Sequence, residues 1–203
     1  MKVKICGITG LQDAEAAIEA GADFLGFNFY PKSPRYLEPE SAGEIISALG
    51  PGVKAVGVFV NETPAKIREC CSRSGAGVIQ LHGDESPELA AELSLPVIKA
   101  VRLGGPADLI GIEDYRVWAL LADSQSPGFG GSGKTANWDL ARQMRERSPR
   151  LFLAGGLTPD NVAEAIITVR PWAVDVCSGV EREPGVKDRA KLKKFMEAVK
   201  DVA

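Results

Sequence analysis

The sequence predicts an α/β protein, a single-domain (β/α)8 barrel over residues 1–203, from three observations. A short β-rich run alternates with a capped, amphipathic segment along the whole chain; the alternation completes eight times; and no linker, low-complexity run or short-period repeat interrupts it. Alternating βα units imply a parallel sheet, and eight of them fit either a closed barrel or an open doubly wound sheet. The barrel is favoured because the strands are short and evenly spaced, the last element is a helix that can close the ring, and no dinucleotide fingerprint opens the first βα turn.

The first strand is VKIC (3–6), followed by LQDAEAAIEAG (11–21), where Ala14, Ala17 and Ile18 share a helical face and Gly21 stops the helix. DFLGFNF (23–29) is the second strand, and the helix after it (39–49) opens on Pro39 and Glu40, which suit a first turn. KAVGVFV (54–60) precedes TPAKIRECCSRSG (63–75), and VIQLH (78–82) precedes SPELAAEL (86–93); both helices begin with a hydroxyl cap and a proline. The fifth strand, VIKAVR (97–102), is followed by a weak segment over 106–114. The last three units pair VWALLAD (117–123) with NWDLARQMRER (137–147), LFLAG (151–155) with TPDNVAEAIITV (158–169), and AVDVC (173–177) with DRAKLKKFMEAVKDV (188–202).

A net charge of -3 gives no electrostatic pull toward nucleic acid or an anionic membrane, so the expected partner is a small molecule. MKVKICGITG has lysines but no apolar run after them, and no segment approaches about 18 consecutive apolar residues, so a cytoplasmic protein is expected. Cys6, Cys70, Cys71 and Cys177 have no metal-ligand spacing; reduced thiols are expected, with neither a metal nor a disulfide scaffold.

PGFGGSGKT (127–135) satisfies the spacing of a nucleotide-binding P-loop, whose mechanism needs a helix beginning at the Lys-Thr pair. Here the next helix starts later, with Asn137 as its cap, so the glycines are read as a lid loop (124–136) at the C-terminal face of the barrel, where active sites of such barrels lie.

Strand parity sorts the candidate side chains, because alternate residues face the ring interior and the helices. Lys4 and Cys6 point inward in the first strand, Gln80 and His82 in the fourth, Asp123 in the sixth together with Val117, Ala119 and Leu121, and Asp175 and Cys177 in the eighth. Strands one and eight are neighbours in a closed ring, so Lys4 is expected to form a structural ion pair with Asp175 and Cys6 to lie beside Cys177. His82, the only histidine, is read as lining the mouth. AGGLTPDN after strand seven and CSGVEREPG after strand eight occupy the standard phosphate loops, with backbone N–H groups of Gly155, Gly156, Ser178 and Gly179 able to converge on a dianion.

KICGIT (4–9), GFNFYPKSPRY (26–36), QLHGDE (80–85), DSQSPGFGGSGKT (123–135), AGGL (154–157) and DVCSGVE (175–181) together resemble phosphoribosylanthranilate isomerase of tryptophan biosynthesis, from first strand to last helix. The resemblance implies a TIM barrel without cofactor or metal. It also implies an Amadori rearrangement of N-(5'-phosphoribosyl)anthranilate to 1-(2-carboxyphenylamino)-1-deoxyribulose 5-phosphate. Carried over to matching positions, the general acid falls on Asp123 and the general base on Cys6, whose thiol needs a lowered pKa from nearby positive charge or from the substrate's iminium. Arg35 corresponds to the residue gripping the anthranilate carboxylate, and Gln80, His82, Gly155, Gly156, Ser178 and Gly179 complete the expected substrate-binding set. Another phosphosugar aldose–ketose isomerase or epimerase on the same barrel is the alternative reading. One departure is Cys177, where the family resemblance leads to a serine; a Cys6–Cys177 disulfide under oxidation is a second expectation, the resting form being reduced.

Overall fold

Eight parallel strands close into a ring in the computed structural model, which describes residues 1–52, 54–124 and 136–202. They are β1 (Lys2–Cys6), β2 (Phe24–Asn28), β3 (Lys54–Phe59), β4 (Val78–Leu81), β5 (Val97–Leu103), β6 (Ala119–Ser124), β7 (Leu151–Leu153) and β8 (Ala173–Val176), in that order around the ring, with β8 paired to β1. Seven α-helices are described: α1 (Leu11–Ala20), α2 (Pro39–Leu49), α3 (Pro64–Ser74), α4 (Pro87–Ala91), α5 (Trp138–Arg147), α6 (Val162–Val169) and α7 (Arg189–Lys200). Their caps follow from sequence: the side chains of Thr63, Ser86, Asn137 and Asp188 each accept a first-turn N–H. Gly21 ends α1 at φ 109°, a left-handed conformation that favours glycine.

The alternation of strand side chains splits the core in two. Val3, Ile5, Leu25, Phe27, Ile79, Leu81, Leu153, Val174 and Val176 face outward, into a layer that also holds Ala14, Ala17, Ile67, Leu140 and Phe195 of the helices. Phe24, Val56, Val78, Ile98, Leu121, Phe152 and Ala173 face inward, and most of them come from the early part of their strands. Phe24, Phe152, Trp118 and Trp172 pack there with ring centroids 5.3 to 6.1 Å apart, in tilted or edge-on contacts. The lower ring is therefore filled with apolar groups, and the buried polar residues Lys4, Gln80, Asp123 and Asp175 occupy positions of the same inward parity.

Several boundaries differ from the sequence reading. The weak segment at 106–114 forms two 3-10 turns, Pro106–Leu109 and Ile112–Asp114, in place of a crossover helix. Residues 158–161 make a turn in which Asn161 Oδ1 accepts the Thr158 N–H at 2.8 Å, so α6 is shorter than expected. The sixth strand begins at Ala119, and before it the alternation breaks: Trp118 packs against the inner cluster and Val117 against the outer one, reversing the expected sides, because extended pairing has not yet begun. A hairpin absent from the sequence reading, β9 (Glu181–Glu183) with β10 (Val186–Lys187), follows β8. α5 starts after the Lys-Thr pair, with Asn137 Oδ1 accepting from Leu140 N–H. The expected lid falls mainly on residues 125–135, outside the described residues. Among the described residues, no helix is long and apolar enough to cross a membrane.

Candidate active site

Cys6 is the last residue of β1, where the chain leaves the ring through Gly7 at φ 74°. Opposite it in the β1–β2 register stands Gly26. A methyl carbon at Gly26 would lie 2.8 Å from Cys6 Sγ and 3.1 Å from Lys4 Nζ, so the missing side chain makes room for both groups. Lys4, fully buried, donates to both oxygens of its register partner Asp175, at 3.0 and 2.9 Å. This is the ion pair the sequence led us to expect. Burial works against the Lys4 charge, but Asp175 and Cys6 outweigh it and hold the ammonium above its usual range. Burial pushes the Asp175 carboxyl up to about 6 despite the pull of Lys4. One cation thus faces both the Asp175 carboxylate and the Cys6 sulfur.

The Cys6 thiol is held well below its usual range by a hydrogen bond from Cys177, with Lys4 and Lys187 adding to it against the opposing effect of burial. The same hydrogen bond, with burial, pushes Cys177 up. Both are free thiols.

Across the mouth, Asp123 is 5% exposed at the end of β6. Its Oδ1 accepts the Ser124 N–H at 2.7 Å, and its Oδ2 lies 3.0 Å from His82 Nε2. His82 Nδ1 in turn lies 2.8 Å from Gln80 Nε2. With the Gln80 amide donating, Nδ1 accepts and the ring proton sits on Nε2, donated to Asp123. Gln80 Oε1 is buried without a partner among the described residues. The segment after β4 is fixed by Glu85, which accepts the N–H groups of Gly83 and Asn61 and pairs with buried Lys99 at 2.8 Å.

Arg35 is set by a turn in which Ser33 Oγ accepts its N–H and a hydrogen bond from Asn28. Its Nε and Nη2 form a fork on Glu181, with distances of 2.6 to 3.2 Å. That contact, opposed by burial, raises the guanidinium pKa further. Burial lifts the Glu181 carboxyl, but Arg35 and Lys187 overcome it and hold the group below its usual range. Glu181 and Lys187 were missed by sequence reasoning. Lys187 Nζ reaches Glu181 Oε1 at 2.8 Å and the Cys6 carbonyl at 2.5 Å, tying the β9–β10 hairpin to the end of β1. The only signal was that the DVCSGVE segment (175–181) ends on an acidic residue.

The loops after β7 and β8 meet beside this cluster. Gly155 and Gly156 have φ of 82° and 63°, and Ser178–Val180 is a single 3-10 turn. The N–H groups of Gly155, Gly156, Ser178 and Gly179 donate to no backbone carbonyl among the described residues. A methyl carbon at Gly179 would sit 1.9 Å from the Leu157 carbonyl oxygen, so the two loops touch through backbone alone. Gly179→Ala is therefore expected to separate them: KM for a phosphorylated substrate should rise about tenfold or more and stability fall by roughly 1–3 kcal/mol, read by steady-state kinetics and urea unfolding.

The family model for N-(5'phosphoribosyl)anthranilate (PRA) isomerase matches residues 3–198. The N-(5'-phosphoribosyl)anthranilate isomerase of Trichlorobacter lovleyi is 52% identical over 202 residues, covering 99% of this chain and 98% of that protein. That of Geobacter sulfurreducens is 50% identical over 98% of each. Among solved structures, phosphoribosyl anthranilate isomerase from Thermotoga maritima superposes with a TM-score of 0.93 at 48% identity, covering 99% of both chains. Another, of the isomerase in complex with reduced 1-(o-carboxyphenylamino)-1-deoxyribulose 5-phosphate, gives 0.89 at 44% identity, also covering 99% of both chains.

Proposed function

The chain belongs to the N-(5'-phosphoribosyl)anthranilate isomerase family, and on that premise we propose a division of labour in which Asp123 is the general acid and Cys6 the general base. The activity is an aldose–ketose isomerisation in tryptophan biosynthesis, and its substrate is the small molecule N-(5'-phosphoribosyl)anthranilate. Asp123 gives its proton to the furanose ring oxygen, which departs from C1 and leaves an iminium between C1 and the anthranilate nitrogen. The iminium acidifies the C2 hydrogen, and the Cys6 thiolate removes it to form an enolamine. Protonation at C1 and loss of the enol O–H proton then give the ketone. The proton gained at C1 balances the one lost from C2, and the one lost from the enol balances the one Asp123 gave, so the rearrangement needs no redox partner.

The remaining residues bind and position. The dianion of the substrate phosphate fits the donor N–H groups of Gly155, Gly156, Ser178 and Gly179. Arg35, its fork already fixed on Glu181, presents its remaining guanidinium hydrogens to the anthranilate carboxylate. Gln80 and His82 line the mouth and orient Asp123. A diffusible phosphorylated substrate and four reduced thiols fit a cytoplasmic location.

The observation that carries this reading is the pairing of a thiol whose pKa neighbouring donors hold low with a buried carboxyl of the same inward parity. The test is the loss of phosphoribosylanthranilate fluorescence, with substrate generated in situ. Rapid turnover by the purified protein is expected. No turnover by protein that is folded by circular dichroism would overturn the assignment.

A further inference from the structure

We propose that Glu181 is a positioning residue that makes the substrate's carboxylate a condition of tight binding: it holds the inner edge of the Arg35 guanidinium and so aims the outer edge at that carboxylate. The proposal rests on the reading of Arg35 as the carboxylate's partner. A guanidinium has two edges on which a pair of N–H bonds runs parallel, Nε with Nη2 along the side and Nη1 with Nη2 at the tip. Glu181 occupies the first: its Oε1 accepts from Nε at 2.9 Å and its Oε2 from Nη2 at 2.6 Å, with Nε also 3.2 Å from Oε2. Nη1 donates to no described residue, although the Arg35 side chain is 11% exposed. The tip is thus a charged donor pair waiting for one planar anion. The stem is fixed as well, since a methyl carbon at Gly7 would lie 2.6 Å from Arg35 Cδ, so the side chain lies on the turn directly after Cys6.

Glu181 is itself held in place. Its Oε1 accepts from Lys187 Nζ at 2.8 Å and Gly185 N at 3.3 Å, with Cys177 Sγ 3.7 Å away, and its backbone carbonyl accepts from Lys191 Nζ at 2.7 Å. Lys187 also donates to the Cys6 carbonyl at 2.5 Å, so one carboxylate ties the arginine and the backbone of the base to a common frame. Anchoring the β9–β10 hairpin needs only Lys187, Lys191 and Gly185; the fork on Arg35 is additional. Two cations share this single carboxylate, which leaves one positive charge among the three groups for an incoming anion to meet.

The test uses two stable ligands made by reductive amination of ribose 5-phosphate, one with anthranilate and one with aniline, which differ only in the carboxylate. Their dissociation constants are measured by titration calorimetry for wild type, Glu181→Gln and Glu181→Asp, with folding checked by circular dichroism. Wild type should bind the carboxylate-bearing ligand about tenfold to a hundredfold more tightly, the range for hydrogen bonds to a charged group. In Glu181→Gln this ratio should fall about tenfold, toward one, because an amide N–H now opposes the inner edge of Arg35 and releases it. The aspartate variant keeps an anion for Lys187 but ends one carbon short of Arg35; its ratio should lie between the two, and it decides the matter if the glutamine variant does not fold. Damage to the hairpin or the phosphate loops weakens both ligands alike and leaves the ratio unchanged. An unchanged ratio in a folded variant overturns the proposal. So does a ratio above wild type, because Glu181 would then compete with the substrate for Arg35. Arg35→Met should bring the ratio near one with Glu181 intact; a ratio retained there overturns the reading of Arg35, and the proposal with it.

Discussion

Asp123→Asn is expected to lower kcat by roughly 10²- to 10⁴-fold, the range over which a positioned proton donor contributes. The substitution keeps the shape of the side chain and removes the proton that the ring oxygen needs. Its carbonyl can still accept the Ser124 N–H that Asp123 Oδ1 holds at 2.7 Å. Its amide nitrogen then faces His82 Nε2, two donors in opposition, and the chain resolves this by reversing. His82 moves its proton to Nδ1, and the Gln80 amide turns so that Oε1, buried without a partner among the described residues, becomes the acceptor. The fold should therefore survive, with a melting temperature within a few degrees of wild type, and the loss should lie in single-turnover fluorescence decay. Activity within a few-fold of wild type would remove Asp123 from the acid role.

The second large effect concerns stability. Asp175→Asn is expected to destabilise the protein by about 3–5 kcal/mol, because it leaves the Lys4 ammonium buried with no carboxylate. Lys4 is 0% exposed and is packed under Gly26, so it cannot turn out to water. The pair itself need not be strongly stabilising, since burying two charges offsets much of their attraction. The double variant Lys4→Met, Asp175→Leu should therefore recover most of the lost stability in urea unfolding. It should not recover activity, because Cys6 loses a cation. A single-variant loss below about 1 kcal/mol would show that Lys4 is solvated or neutral in the folded protein.

Much of this was legible in the sequence because it depends on periodicity. Period-two alternation sent Lys4, Cys6, Gln80, His82, Asp123 and Asp175 inward together, and ring closure joined Lys4 to Asp175 across 171 residues. What was not legible depends on partners chosen in three dimensions. EREPGVK contains no βα pattern, so nothing in it signalled that Glu181 would receive Arg35 and that Lys187 would reach back to the Cys6 carbonyl. Gln80 and His82 read as two substrate contacts, whereas the structure links them into one chain ending on Asp123. Trp118 defeated the alternation because it lies one residue before the strand whose pleat would have set its side.

The junction of β1 and β8 also sets the order in which the chain becomes competent during synthesis. Lys4 and Cys6 leave the ribosome early, yet Asp175 and Lys187, which neutralise the one and hold the carbonyl of the other, come only with the last quarter of the chain. Until then the nascent polypeptide carries an uncompensated lysine where its core must form. Contacts of such long sequence separation form late and slow folding. Translation of the final strand and hairpin is thus the event that closes the barrel and completes the surroundings of Lys4 and Cys6, so a partly made chain can acquire helices and strands but not that junction.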